Sequence, residues 1–237
     1  SEALGRFEGD PSEIRGVGLC TIRFCRAVLR KDGSLAQPVM SWMDERLPRA
    51  YEREVDDAAY VTTSSGYIGH RLTGERRDAA GNYQGMWPID TERWAWSGDA
   101  AAYVRTGMDP QLLFEIVAPG EPLGRVTVAA AHLTGLPTGI PVIATSNDKA
   151  VEALGAGLRN AGDVLLSLGT YVATMTPGAG PFAQHPDVWT NFAAEPGSYL
   201  YESAGVRRGM WTVSWFRDLL SASGPVSEEQ LNLGAEG

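Results

Sequence analysis

Cysteine is scarce in this 237-residue chain: there are two, Cys20 and Cys25. Two thiols cannot staple a fold of this size. A disulfide scaffold is therefore excluded, and the pair reads as free thiols of a reducing compartment. Positive charge is also short, with 20 Lys and Arg against 29 Asp and Glu and a net charge of -9. A protein that grips a phosphate backbone needs a basic face, so a nucleic-acid partner is not expected. No apolar run approaches the roughly 20 residues that span a bilayer, so no membrane partner is expected either. The opening SEALGRFEGD lacks the basic and apolar regions of a secretory signal, which points to a cytoplasmic protein. The three histidines, His70, His132 and His185, have no metal-ligand spacing, and the two cysteines lack a second pair, so no protein-held metal site is expected. There is no GxxxxGK[ST], no GxGxxG after a strand and no G-x-S-x-G, which leaves P-loop, Rossmann and nucleophile-elbow chemistry unsupported.

What is present is ordinary globular composition, 43% hydrophobic and 21% charged, with 28 Gly scattered as turn punctuation. Residues 15–23 read as a strand. Runs 26–30 and 35–41 flank Lys31-Asp32-Gly33-Ser34, a hairpin signal, with Pro38 marking the second strand as an edge or a bulge. Helical character over 55–72 ends at Gly74, and QLLFEIV after Pro110 reads as a short helix. A helix over 126–136, a buried strand over 140–146 and a helix from near Asp148 follow. Two apolar runs then break at Gly169-Thr170, and a strand over 199–202 precedes an amphipathic helix over about 208–221. Alternating strands and helices give an α/β class.

Three places carry candidate chemistry. Asp148 sits beyond an apolar strand where a helix begins, the position at which open α/β folds bind ligands. A carboxylate there can bond backbone N–H groups at the positive end of the helix dipole, and read alone it serves equally as an N-cap. Gly169-Thr170 can expose N–H groups and a hydroxyl to a phosphate, or can simply turn a hairpin. Trp42 with Asp44 and Arg46 forms a stacking platform with hydroxyl-binding charges, or a surface Trp beside a salt bridge.

Five blocks of text bind these features into one pattern. They are RKDGSLAQPVMSWMDER, YIGHRLTGERRDAAGNYQGMWPID, PLGRVTVAAAHLTGLPTGIPVIATSNDKAVEALGAG, LLSLGTYVAT and ESAGVRRGMWTVSWFRDLL. In this order they resemble the FGGY carbohydrate kinases, the group of xylulokinase, gluconokinase, ribulokinase and glycerol kinase. The resemblance implies a ribonuclease-H-like fold of the actin/hexokinase superfamily, incomplete at both ends. Residues 1–147 would be the sugar-binding domain and 148–237 the start of the ATP-binding domain. It implies ATP-dependent phosphorylation of a sugar or polyol with ATP and Mg²⁺, Asp148 being the general base and Gly169 and Thr170 contacting the ATP phosphates. Trp42 and Asp44 would line the sugar, and the resemblance allows a homodimer. A non-catalytic sugar-binding relative and an inactive fragment are the alternatives.

The chain also departs from the family. The Asp-x-Gly-Thr phosphate turn and the Gly-Gly adenosine segment have no counterpart here, and the segment between residues 46 and 67 is short. Ile22-Arg23-Phe24 stand where xylulokinase-like members carry Gln-Met-His. Arg23 can bond sugar hydroxyls or an acidic substituent and Phe24 can stack, which puts D-xylulose in doubt, or both belong to strand packing and a surface charge. Inside a cleft Arg23 would need a hydroxyl or carboxylate partner, since an unpaired buried charge is costly.

Overall fold

The structure is a computed structural model. It describes residues 2–169, 171–181, 187–203, 205–206, 208–221 and 224–235. In chain order come α1 (Glu2–Gly5), β1 (Val17–Leu19), β2 (Arg26–Leu29), β3 (Tyr60–Thr63), α2 (Ser64–Thr73), β4 (Arg77–Ala79), β5 (Ile89–Asp90) and β6 (Ala95–Trp96). Next are α3 (Ala100–Thr106), β7 (Glu115–Val117), β8 (Pro122–Arg125), α4 (Val128–Thr134), β9 (Pro141–Ala144) and α5 (Asp148–Gly155). The remainder is β10 (Leu165–Leu168), β11 (Val172–Gly178), β12 (Val188–Phe192), β13 (Tyr199–Ser203), α6 (Gly209–Leu220) and α7 (Glu228–Ala235).

Two larger sheets flank α5. Before it, β9 is central, parallel to β1 and antiparallel to β8. After it, four antiparallel strands run in the order β10-β11-β13-β12. Val142 and Ala144 on β9 are fully buried against Leu123, Val126 and Ala130. A second core holds the aromatics of the first half, where the Tyr83 ring meets Trp87 and Trp96 edge-on, each at 4.8 Å. Ala150 and Ala153 of α5 pack on Met175 and Leu200 of the second sheet. The halves also meet at Trp94, Phe192 and Tyr199, where Trp94 Nε1 donates to the Tyr199 hydroxyl.

Helix ends follow side-chain chemistry. Thr63, Asp99, Thr127 and Asn147 each cap a helix by accepting a first-turn N–H. Gly74, Gly107 and Gly135 close three of them in the left-handed conformation that glycine adopts freely.

Several expectations need correction. The helix predicted over 55–72 is only Ser64–Thr73, because Tyr60-Val61-Thr62-Thr63 are aromatic and β-branched and pair with β2 instead. The strand predicted over 15–23 stops at Leu19, and Cys20 to Cys25 are irregular. The hairpin forms, with Arg30 N–H donating to Ser34 and Gly33 at φ 81°, but its return arm makes only bridges at Leu35 and Met40. Pro38 there has no N–H to give a ladder. QLLFEIV splits into one 3-10 turn, Pro110–Leu112, and strand β7. The helix over 126–136 shortens to α4, and β12 was not foreseen.

Candidate active site

β9 delivers the chain to Asn147, whose side-chain oxygen accepts the Ala150 N–H at 3.1 Å. Asn147 is therefore the cap, and Asp148 is the first residue of α5. Capping does not occupy the Asp148 carboxylate. It is half-buried, and its Oδ1 accepts the Arg23 main-chain N–H at 3.3 Å. Among the described residues no other hydrogen bond reaches either oxygen, so Oδ2 is left for an incoming donor.

Asn147 is fully buried and held from two sides. Its Nδ2 donates to the Gly81 carbonyl at 2.9 Å and to Asn191 Oδ1 at 3.1 Å. Gly81 also packs closely on the neighbouring Ser146, whose Oγ an added Cβ would strike. Gln84 continues the seam, donating to the Thr190 carbonyl at 3.3 Å.

Arg23 crosses from the first half of the chain to the second. Its Nη1 donates to Glu202 Oε2 at 2.8 Å and its Nη2 to Oε1 at 2.6 Å. The two side chains are 10% and 0% exposed. The carboxylate that a buried guanidinium requires is thus supplied by β13. Arg23 also lies over the Phe24 ring at 5.0 Å and the Trp189 ring at 5.7 Å. Phe24 sits at φ 62°, a strained setting for a bulky residue, and its ring faces the approach at Gly85.

Burial pushes the Cys25 thiol up, and the Asp148 charge adds to the rise, while hydrogen bonds from the Trp42 main chain and Ser64 pull the other way. Burial and then Asp148 likewise push Cys20 up. Cys25 thus meets the Trp42 main chain and feels the Asp148 charge, and Asp148 accepts the Arg23 N–H; no described contact joins Phe24 or the Trp42 ring to Asp148. Asp44 does not join them by any described hydrogen bond. Arg46 grips both of its oxygens, at 2.9 and 2.7 Å, and holds its carboxyl well below the usual range. Arg46 also reaches Glu54 at 3.0 Å.

Gly169 accepts the Met210 N–H at 3.2 Å, which brings the turn after β10 against the first turn of α6. That turn has no side-chain cap and no acidic residue. Thr170 lies outside the described residues. Lys149, adjacent to Asp148, donates to Ser167 on β10 at 2.8 Å and pairs with Glu152 at 2.7 Å, tying α5 to the strand that leads into Gly169.

Sequence reasoning missed Asn147, Asn191, Glu202 and Arg26. Arg26 is 4% exposed, lies over Tyr51 at 5.5 Å and Trp87 at 5.8 Å, and its Nε has no hydrogen-bond partner among the described residues. Burial pulls its pKa below the ordinary value. An Arg beginning the apolar run RAVL and a Glu inside YLYES were the available signals.

The architecture is that of the actin/hexokinase-like fold. A "ligand bound xylulose kinase" of Lactobacillus acidophilus superposes with a TM-score of 0.80 at 15% identity, over 97% of this chain and 52% of that one. The family description "FGGY family of carbohydrate kinases, N-terminal domain" matches residues 36–155, and the chain belongs to that family. It is 46% identical over 222 residues to an "uncharacterized sugar kinase YgcE" of Escherichia coli K12, covering 94% of this chain and 45% of that protein. It is 28% identical to an "autoinducer-2 kinase" of Klebsiella pneumoniae, over 97% of this chain and 40% of that one. The chain thus spans less than half the length of these curated relatives.

Proposed function

We propose that the protein phosphorylates a hydroxyl of a sugar or polyol with ATP, and that Asp148 is the general base. The carrying observation is a half-buried carboxylate at a strand end, with Oδ1 held by a main-chain N–H and, among the described residues, no hydrogen bond to Oδ2. In phosphoryl transfer the transition state is loose, so positioning and charge placement supply most of the catalysis. Asp148 would orient the attacking hydroxyl and accept its proton as the new O–P bond forms. Phe24, Trp42 and Arg23 would line the sugar. Asp44 would support the Trp42 segment through Arg46, and a direct bond to the sugar would require it to leave that ion pair.

ATP would supply the phosphoryl group, with Mg²⁺ neutralising phosphate charge. The Gly169 turn and the first turn of α6, which has no side-chain cap, suit phosphate: apart from the Met210 N–H, already given to Gly169, N–H groups at a helix start attract anions. Thr170 belongs to the same proposal. Among the described residues no group of three or more His, Cys, Asp or Glu side chains could hold a metal. In this reading residues 1–147 form the sugar side and 148–237 the nucleotide side. Among the described residues no helix is long and apolar enough to cross a membrane. A cytoplasmic location and a homodimer are compatible with the same reading.

The test is a screen of the full-length protein with pentuloses, hexuloses, polyols and sugar acids, following ADP release. The expected result is one sugar class that raises ADP release to about 1–100 s⁻¹. Background ATP hydrolysis with every sugar would instead support a non-catalytic relative.

A further inference from the structure

We infer that Glu202 is a positioning residue that aims Asp148, acting through Arg23. The inference rests on the kinase reading and concerns how its base is held. Five residues close a ring. Asp148 Oδ1 accepts the Arg23 N–H at 3.3 Å, and the Arg23 guanidinium is gripped at both ends by Glu202. Glu202 Oε2 in turn receives a long bond from Asn191 Nδ2 at 3.5 Å. Asn191 and Asn147 exchange amide bonds at 3.1 and 3.4 Å, and Asn147 is covalently joined to Asp148.

The sheet register explains the ring. Trp189 and Glu202 are directly opposed across β12 and β13, so their side chains share a face. Asn191, one pleat further along, shares it too. That face looks toward α5, where Met175 and Leu200 pack on Ala150 and Ala153.

A buried ion pair is weak evidence for stability, because desolvation costs roughly what attraction returns. A two-pronged guanidinium–carboxylate contact does fix orientation, which a Lys in place of Arg cannot do. The orientation fixed here is that of the Arg23 backbone, which follows the β1 end and precedes strained Phe24. Without Glu202 nothing else described holds the guanidinium except the two rings, and the Arg23 N–H loses its fixed aim at Asp148. The side chain of Glu202 itself makes no described contact with Asp148, so it is not a catalytic residue.

The experiment compares wild type, Glu202→Gln, Asp148→Asn and the double variant of the full-length protein, using ATP and the best sugar from the screen. We expect Glu202→Gln to lower kcat by about 10- to 100-fold with KM for ATP within about twofold. In the Asp148→Asn background it should cause no further loss, because it acts through that carboxylate. Exchange of the Arg23 amide proton, read by NMR without turnover, should speed up by at least about tenfold in Glu202→Gln. Arg23→Lys should reproduce the same kinetic pattern should Glu202→Gln fail to fold. An unchanged amide exchange, or an equal fold loss in both Asp148 backgrounds, overturns the role of Glu202 alone. Near wild-type kcat in Asp148→Asn overturns the base assignment, and this inference with it.

Discussion

The regions before and after α5 use similar residues and place them differently. Before it, the aromatic core is inside: Tyr83 and Phe114, with Leu123, are at most 1% exposed. After it, α6 buries none of its residues, and Trp211, Trp215 and Phe216 are 47–60% exposed. The second sheet is itself two-sided. Its α5 face carries buried Met175, Leu200, Asn191 and Glu202, while Leu166 and Leu168 on the other face are open. An apolar surface of this extent marks a place where something packs. The difference teaches that, among the described residues, burial in the second region is confined to two places, the sheet face toward α5 and the Phe192–Tyr199 end that packs on Trp94. The face toward α5 is packed along Met175, Leu200, Asn191 and Glu202, while the opposite face is covered only at its Phe192–Tyr199 end.

The largest effect should come from the first region. Phe114→Ala removes a ring in edge contact with Tyr60 and His70, and should cost about 3–5 kcal/mol in urea unfolding of this chain. A loss below about 1 kcal/mol would mean the first core is no tighter than the second region. At the junction, Asn147→Ala removes the α5 cap and leaves Gly81 and Asn191 short of partners. It should cost about 1–3 kcal/mol.

A smaller, pH-dependent effect belongs to Asp78. It is fully buried and accepts bonds from Thr63, Ser65 and Asn82, and burial raises its pKa above the ordinary carboxylate value. The folded state therefore keeps a proton that the unfolded chain has released. The stability tied to that proton is complete below the unfolded pKa and is lost as pH rises through the folded one. For this single group the slope is at most about 1.4 kcal/mol per pH unit. Asp78→Asn should flatten that slope in unfolding titrations above about pH 4. An unaltered slope would assign the pH dependence elsewhere. Smallest of all, Trp215→Ser on α6 should change the stability of this chain by less than about 0.5 kcal/mol. A loss of several kcal/mol would show that α6 is covered.

Much of this was legible because its causes are local. Asp32-Gly33 and Gly74 announce a turn and a helix end by backbone freedom alone. The apolar run ending at Ala144 followed by Asn147-Asp148 reads as strand then helix, which placed Asp148 correctly at the first turn. The alternative reading of Asp148 as the N-cap falls one residue off, since Asn and Asp are nearly equal caps and only geometry chooses Asn147. β3 was hidden because the helical period of YIGHRL continues backward through Tyr60, and only pairing with β2 stops it. Glu202 was out of reach for a different reason. Its partner Arg23 is 179 residues away, and the register of β13 against β12 decides which way its carboxylate faces.

The most direct measurement is Asp148→Asn in the full-length protein, with kcat taken from sugar-dependent ADP release and sugar affinity from calorimetry. The amide keeps the size of the carboxylate and its bond from the Arg23 N–H but cannot take a proton. The account predicts that kcat falls about 10²- to 10⁴-fold while sugar affinity stays within about threefold. A fall of less than about tenfold would contradict it and leave Asp148 as a helix-terminal carboxylate with no part in the proton transfer.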